Sequence, residues 1–155
     1  MKKVLFLCIG NSCRSPMAEG FARRYGPDVM EPFSAGLAPA AIIQPLTKKV
    51  MEAKNINIDE ISPKDIGAVD LGAFDLIINM SGRKLPTRLS IETREWKIED
   101  PIGKPEETYL TVRDQLEMSV MHLILELRRE LKKAELAQVG AGEIEPPQAA
   151  KRRSD

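Results

Sequence analysis

Residues 8–15 carry the side chains best suited to nucleophilic chemistry on a bound oxyanion. The segment reads Cys-Ile-Gly-Asn-Ser-Cys-Arg-Ser, so a cysteine begins it and an arginine and a serine end it. A thiolate is the nucleophilic form of cysteine, and a guanidinium binds two oxygens of a phosphate-like group in bidentate fashion. The Ser15 hydroxyl can donate a hydrogen bond to the thiolate. These residue types predict that Cys8 attacks an oxyanion held by Arg14.

The sequence on either side predicts that this segment is a loop between a strand and a helix. Lys3–Ile9 is a continuous apolar run of strand length, which is typical of a strand buried on both faces of a parallel sheet. Ser15 is suited to the N-cap of the next helix and Pro16 to its first position. The positive end of that helix should hold Cys8 as a thiolate at neutral pH.

A loop in this position presents backbone N–H groups to an anion. The residues predicted to bind the substrate through these groups are Ile9, Gly10, Asn11, Ser12 and Cys13. Gly10 permits a close approach of the backbone, and Asn11 tolerates the left-handed geometry that such a loop needs.

The rest of the chain alternates between strand and helix patterns. The predicted strands are Met30–Ala35, Phe74–Met80 and Arg94–Ile98, and the predicted helices are Pro45–Lys54 and Glu107–Leu136, with a short helix or turn at Asp65–Leu71. This alternation predicts an α/β fold with a single doubly wound, four-stranded parallel sheet flanked by helices. We expect a catalytic domain over residues 1–136 and, because residues 137–155 are rich in glycine, proline and charge, a flexible C-terminal tail.

Composition excludes several classes of protein. Lys+Arg and Asp+Glu both number 23 among 155 residues, so a surface that attracts nucleic acid is not expected. No apolar run has the length of a membrane span, and two cysteines do not form a secreted disulfide framework, so we expect a cytoplasmic protein. A single histidine cannot build a metal site, and no cofactor motif is present. The sequence does not indicate an oligomeric state.

The stretch Val4–Glu19 resembles the signature of the low-molecular-weight protein tyrosine phosphatase family and of the related thioredoxin-coupled arsenate reductases. Ser34–Gly36 and Glu99–Pro101 fall where that family has comparable segments. The resemblance implies that Cys8 is the nucleophile and Arg14 the oxyanion clamp. It further implies that Ser15 stabilises the thiolate, that Asn11 and Ser34 hold the loop in shape, and that Asp100 is the general acid.

Asp100 also suits the chemistry independently of the resemblance. After Cys8 attacks phosphorus, the leaving oxygen needs a proton, which a carboxylic acid at the end of a strand can supply before it activates water. The alternative is that Asp100, which precedes Pro101, only begins a turn.

The predicted function is a metal-independent phosphomonoester phosphatase of the protein tyrosine type, acting through a phosphocysteine intermediate. Its substrate would be a phosphorylated protein or a small phosphomonoester. Ile102–Gly103 stands where the family members that prefer phosphotyrosine have aromatic residues, so the wall for a phosphotyrosine ring is thin.

The alternative function is an arsenate reductase, with arsenate as the substrate. In that branch a second cysteine follows the third strand, where this chain has Ser81, and another lies in a loop where Arg83–Arg94 has none. Since serine cannot form a disulfide, such an enzyme would need external thiols, from glutathione or a redox protein. Cys13 either protects Cys8 by reversible pairing, as the resemblance suggests, or packs under the loop. A non-catalytic oxyanion binder is a third possibility, but it needs neither a nucleophile nor an acid.

Overall fold

The computed structural model describes residues 1–85 and 90–144, with side chains up to residue 140. The strands are β1 (Lys2–Cys8), β2 (Met30–Gly36), β3 (Leu76–Asn79) and β4 (Glu92–Glu95), and the helices are α1 (Arg14–Tyr25), α2 (Pro45–Glu52) and α3 (Glu106–Ile144). Two short 3-10 turns, Ile66–Ala68 and Leu71–Ala73, lie between α2 and β3.

The four strands form one parallel sheet in the order β2-β1-β3-β4, which confirms the predicted α/β fold. The strand β1 is central, and it pairs with β2 from Lys2 to Cys8 and with β3 from Val4 to Leu7. Because all strands are parallel, their carboxyl ends lie at one edge of the sheet, where ligands bind in folds of this kind. This edge carries the loop that follows β1.

Alternate side chains of β1 enter two hydrophobic cores. Val4 and Phe6 belong to the larger core, which includes apolar residues of α1, α2 and α3. Leu5 and Leu7 belong to a smaller core on the other face, together with Ile66 of the first 3-10 turn. All four side chains are fully buried, which fixes the end of β1 and therefore the start of the loop.

The fourth strand begins and ends earlier than the sequence predicts. Its pairing with β3 runs from Leu76 opposite Glu92 to Asn79 opposite Glu95, so it ends where β3 ends. One further bond follows, from the N–H of Trp96 to the Asn79 carbonyl (3.0 Å). The length of β4 is therefore set by its short partner β3, and the apolar residues after Glu95 do not extend the strand.

The last helix continues beyond its predicted end at Leu136, because α3 runs to Ile144. The predicted boundary between a domain and a tail at residues 136 and 137 therefore falls inside a helix. Residues 145–155, which complete the predicted tail, lie outside the described residues. Among the helices that are described, none is both long and apolar enough to cross a membrane.

Candidate active site

The segment after β2 fixes the backbone of the loop by binding its carbonyl groups. The N–H groups of Leu37, Ala38, Ala40 and Gln44 donate to four carbonyls. These acceptors are, in the same order, the carbonyls of Cys8, Ile9, Gly10 and Ser12, at 2.8–3.1 Å. With their oxygens held on one side, the peptide groups of the loop turn their N–H groups toward the other.

The N–H groups from Ile9 to Cys13 donate to no acceptor within the part of the chain that the structure describes. Five consecutive unpaired donors next to the start of α1 form an anion-binding nest. These are the same residues that the sequence predicts as substrate-binding residues. The nest lies at the carboxyl edge of the sheet, directly after Cys8.

Asn11 supports the loop from inside. Its φ of 49° lies in the left-handed region, which asparagine adopts more readily than most residues. Its side-chain amide donates to the Ser15 hydroxyl (2.8 Å), and its side-chain oxygen accepts from the N–H of Lys64 (2.9 Å). Asn11 therefore ties the loop both to α1 and to the segment that precedes the 3-10 turns.

Ser15 contacts Cys8, the predicted nucleophile, with 2.9 Å between its Oγ and the Cys8 Sγ. Because Asn11 already donates to this hydroxyl, the hydrogen of Ser15 is directed to the sulfur. Ser15 is not the N-cap that the sequence suggests: α1 begins at Arg14, and Cys13 occupies the cap without a side-chain bond. Its hydroxyl is used by Cys8 and Asn11 instead.

Arg14 extends from α1 to the segments that follow β3 and β4. Its side chain is 6% exposed, and one terminal nitrogen, Nη1, donates to the carbonyls of Met80 (2.7 Å) and Ile98 (3.1 Å). The other, Nη2, lies 3.6 Å from Oδ2 of Asp100. These bonds fix the plane of the guanidinium beside the nest, as an oxyanion clamp requires.

The Asp100 side chain therefore lies next to Arg14, although Asp100 belongs to the segment after β4 and not to the loop after β1. Its side chain is 43% exposed, and its Oδ1 accepts from the N–H of Ile102 (3.1 Å), as the turn interpretation expects. Its Oδ2 faces Arg14. The carboxyl group thus forms a turn and also lies next to Arg14, so the two interpretations are compatible.

The Cys13 side chain belongs to the larger core, and only 2% of the residue is exposed. Burial raises the pKa of this thiol to about 12, against a smaller opposing effect of the nearby Thr47 hydroxyl. Cys13 is therefore protonated at neutral pH. Its burial agrees with the packing role, and the reversible pairing with Cys8 stays a prediction.

Within the described residues, the Ser34 hydroxyl makes no hydrogen bond to the loop. Its buried hydroxyl donates to Oε1 of Glu19 in α1 (2.5 Å), and Arg23 pairs with the same carboxylate. Ser34 therefore positions α1 rather than the loop itself. Glu19 is 2% exposed, and the sequence analysis missed it, although a glutamate among the apolar positions of a helix is a usable signal.

Gly36, at the end of β2, is a second residue whose role the sequence analysis missed. A Cβ at this position would lie 2.6 Å from the Ile9 carbonyl oxygen and 2.9 Å from the Asn11 nitrogen. The loop thus passes so close to Gly36 that no side chain fits at this position.

Replacing Gly36 with alanine is expected to displace the loop and to lower the free energy of unfolding by about 1–3 kcal/mol. Urea denaturation measures the free energy of unfolding. Calorimetric titration with inorganic phosphate measures phosphate affinity, which should fall if the loop is displaced. Gly140→Ala is the matched control, because its added methyl group would meet nothing within 4 Å apart from the nearby backbone of its own helix. Equal phosphate affinity of Gly36→Ala and wild type would contradict the assigned role.

The family comparison agrees with this geometry. The sequence model of the family described as low molecular weight phosphotyrosine protein phosphatase matches residues 3–134. A glutaredoxin arsenate reductase of Synechocystis sp. is 34% identical over 131 residues, which is 82% of this chain and 99% of that protein. An arsenate reductase of Bacillus cereus (strain G9842) is 32% identical over 119 residues, or 74% of this chain and 88% of that protein.

Solved structures show the same relationship. An arsenate reductase in the phosphate binding state superimposes with a TM-score of 0.77 at 34% identity, covering 82% of this chain and 99% of that one. An arsenate reductase in the oxidized state gives a TM-score of 0.74 at 33% identity with the same coverage.

These relatives correct the predicted function. The prediction of a phosphomonoester phosphatase of the protein tyrosine type is wrong, because the relatives that share about a third of their residues with this chain are arsenate reductases. A thiolate, an arginine and an acid serve both reactions, so these residues alone do not distinguish the two. The matched residues, the sheet and the cysteine loop together establish that this chain is an enzyme of the low molecular weight phosphotyrosine protein phosphatase family.

Proposed function

We propose that the protein is an arsenate reductase that takes its two electrons from external thiols. The observation that carries the proposal is an oxyanion nest built around Cys8 in a chain whose one other cysteine, Cys13, is buried and protonated. The similarity to named arsenate reductases, one of them glutaredoxin-dependent by its name, supports the same reaction.

The first step joins Cys8 to arsenic. The Cys8 thiolate attacks arsenate, an S–As bond forms, and one As–O bond breaks. Asp100 donates a proton to the departing oxygen, which leaves as water. The N–H groups of the nest and Arg14 stabilise the negative charge on the remaining oxygens, which is the largest expected contribution to the rate.

The second step reduces arsenic. An external thiolate attacks the Cys8 sulfur, the S–As bond breaks, and its electron pair remains on arsenic, which leaves as arsenite. Cys8 is then in a mixed disulfide with the external thiol. A second thiol attacks that disulfide, releases the Cys8 thiolate and completes a balanced two-electron reduction.

The contacts of Ser81 support an external source for the resolving thiol. Ser81 is buried after β3, where its hydroxyl donates to Oδ1 of Asn79 (2.7 Å) and accepts from the N–H of Arg83 (3.1 Å). This hydroxyl therefore holds a turn, and it cannot take part in disulfide exchange.

The proposal is tested by arsenite formation from arsenate, measured by chromatography with arsenic detection. Reactions contain glutathione alone, glutathione with glutaredoxin, or thioredoxin with its reductase. With glutathione, alone or with glutaredoxin, we expect arsenite to form together with water and oxidised glutathione. Absence of arsenite with every thiol source would overturn the proposal, whatever the protein does to aryl phosphates.

Replacing Cys13 with serine is expected to leave kcat for glutathione-dependent arsenite formation within about threefold of wild type, because Cys13 does not resolve the arseno-cysteine. Stability should fall, since a polar group replaces a buried thiol whose pKa is about 12. Assays below the unfolding temperature separate the two effects. A loss of activity at saturating glutathione in a folded variant would instead identify Cys13 as the resolving thiol.

A further inference from the structure

A cavity of about 600 Å³ lies at the carboxyl ends of β3 and β4, and Arg14 is one of the residues that line it. One wall is the segment that follows β3, including Met80 and Arg83, and the other is the segment from Glu95 to Glu99. The Arg14 side chain hydrogen-bonds to the carbonyls of Met80 and Ile98, which also line the cavity. Arg14, the proposed oxyanion clamp, is therefore also part of the cavity wall.

The walls of this cavity carry an excess of positive charge in a chain whose formal net charge is zero. Arg83, Lys84 and Lys97 line it, and all three are exposed. None of them forms an ion pair with another residue in the described ranges 1–85 and 90–140. These cations are therefore available to bind the carboxylates of a ligand.

The acidic groups of the cavity are fewer. Glu99 pairs with Lys104, and Glu95 accepts a hydrogen bond from the Asn79 amide (3.2 Å) and is otherwise exposed to solvent. Trp96 supplies a half-buried apolar surface between them. The cavity thus suits a small ligand with two carboxylates, one ammonium group and a short apolar or sulfur-bearing centre.

We propose that this cavity binds glutathione and delivers its thiol to Cys8, an inference that rests on the proposed function. Glutathione has two carboxylates and one ammonium group, and clefts of about 300–1,000 Å³ hold ligands of such size. Arg83 and Lys97 bind the carboxylates. The glutathione thiolate then attacks the Cys8 sulfur, arsenite leaves with the electron pair of the S–As bond, and the glutathionyl group stays in the cavity until a second thiol releases it.

The binding test uses S-methylglutathione, which has the same charges but cannot react. Trp96 is the one tryptophan of the chain and lines the cavity, so its fluorescence reports occupancy without any arsenic present. We expect a saturable change in wild type and a binding constant weakened about tenfold or more in Arg83→Glu/Lys97→Glu. The matched control, Lys133→Glu, reverses an exposed charge on α3 far from the cavity and should bind as wild type does.

The kinetic test compares glutathione with 2-mercaptoethanol, which is uncharged. In the double variant we expect the KM for glutathione to rise about tenfold or more while the KM for arsenate and the rate with 2-mercaptoethanol stay unchanged. Two results would overturn the cavity assignment: arsenite formation by wild type with no fluorescence change, or an equal glutathione KM in wild type and the double variant. Either result would leave the proposed reductase activity standing. Saturable binding without arsenite formation from any thiol instead overturns the reductase, and with it the delivery of the thiol to Cys8.

Discussion

Cys8→Ser is expected to lower arsenite formation by at least about 10⁴-fold while inorganic phosphate still binds within about threefold of wild-type affinity. The loss is large because a serine hydroxyl is a far weaker nucleophile and cannot form the mixed disulfide that regenerates the enzyme. Binding persists because the N–H groups of residues 9–13 and Arg14 do not depend on the sulfur. Single-turnover assays with glutathione measure the rate, and calorimetry measures phosphate binding.

Cys13→Ser is the matched control for this experiment, since it makes the same substitution at a cysteine in the same loop. A Cys8→Ser protein that forms arsenite at more than about one per cent of the wild-type rate would show that Cys8 is not the nucleophile. A variant that loses phosphate binding as well would show that the loop needs the sulfur for its shape.

Arg14→Lys is expected to lower kcat/KM for arsenate by about 10²–10³-fold, the usual cost of removing one strong oxyanion donor. Lysine keeps the charge, but it lacks the planar fork that donates to Met80 and Ile98 and faces the nest at the same time. Phosphate affinity should fall as well, because the guanidinium contacts the oxyanion before and during reaction.

Arg113→Lys is the control for the general effect of replacing a mostly buried arginine. Its Nη1 also donates to a backbone carbonyl, that of Val50 (3.0 Å), and its side chain is 12% exposed, but it lies between α3 and α2. This control should lose stability without losing activity. If Arg14→Lys retains activity within about threefold of wild type, the clamp assignment is wrong.

Local sequence signals predicted the parts of the fold that local interactions determine. The apolar run of β1, the loop and the start of α1 are contiguous, so a strand-loop-helix unit and its nucleophile follow from about twenty residues. The alternation of strands and helices then gave the parallel sheet. The same reasoning failed for Ser15, because its hydroxyl is bound by Cys8 and Asn11 rather than by the helix backbone.

Long-range contacts account for what the sequence left open. Arg14 finds its acceptors 66 and 84 positions away, Gly36 is constrained by a loop from the neighbouring strand, and β4 ends where its partner ends. No pattern within a short window contains this information. The sequence did not decide between phosphatase and reductase for a chemical reason: a loop with a cysteine, an arginine and free N–H groups suits phosphate and arsenate equally.

The fixed carbonyls of the loop have a consequence for selectivity. Since the backbone around Gly10 is bound on its outer side by Ala38 and Ala40, the nest cannot reshape itself for one tetrahedral anion rather than another of the same charge. Phosphate and arsenate should therefore compete for it on nearly equal terms, and cellular phosphate should act as a competitive inhibitor. Discrimination is then kinetic: only arsenic accepts the electron pair from sulfur and leaves in a lower oxidation state, whereas phosphate occupies the site and departs unchanged in oxidation state.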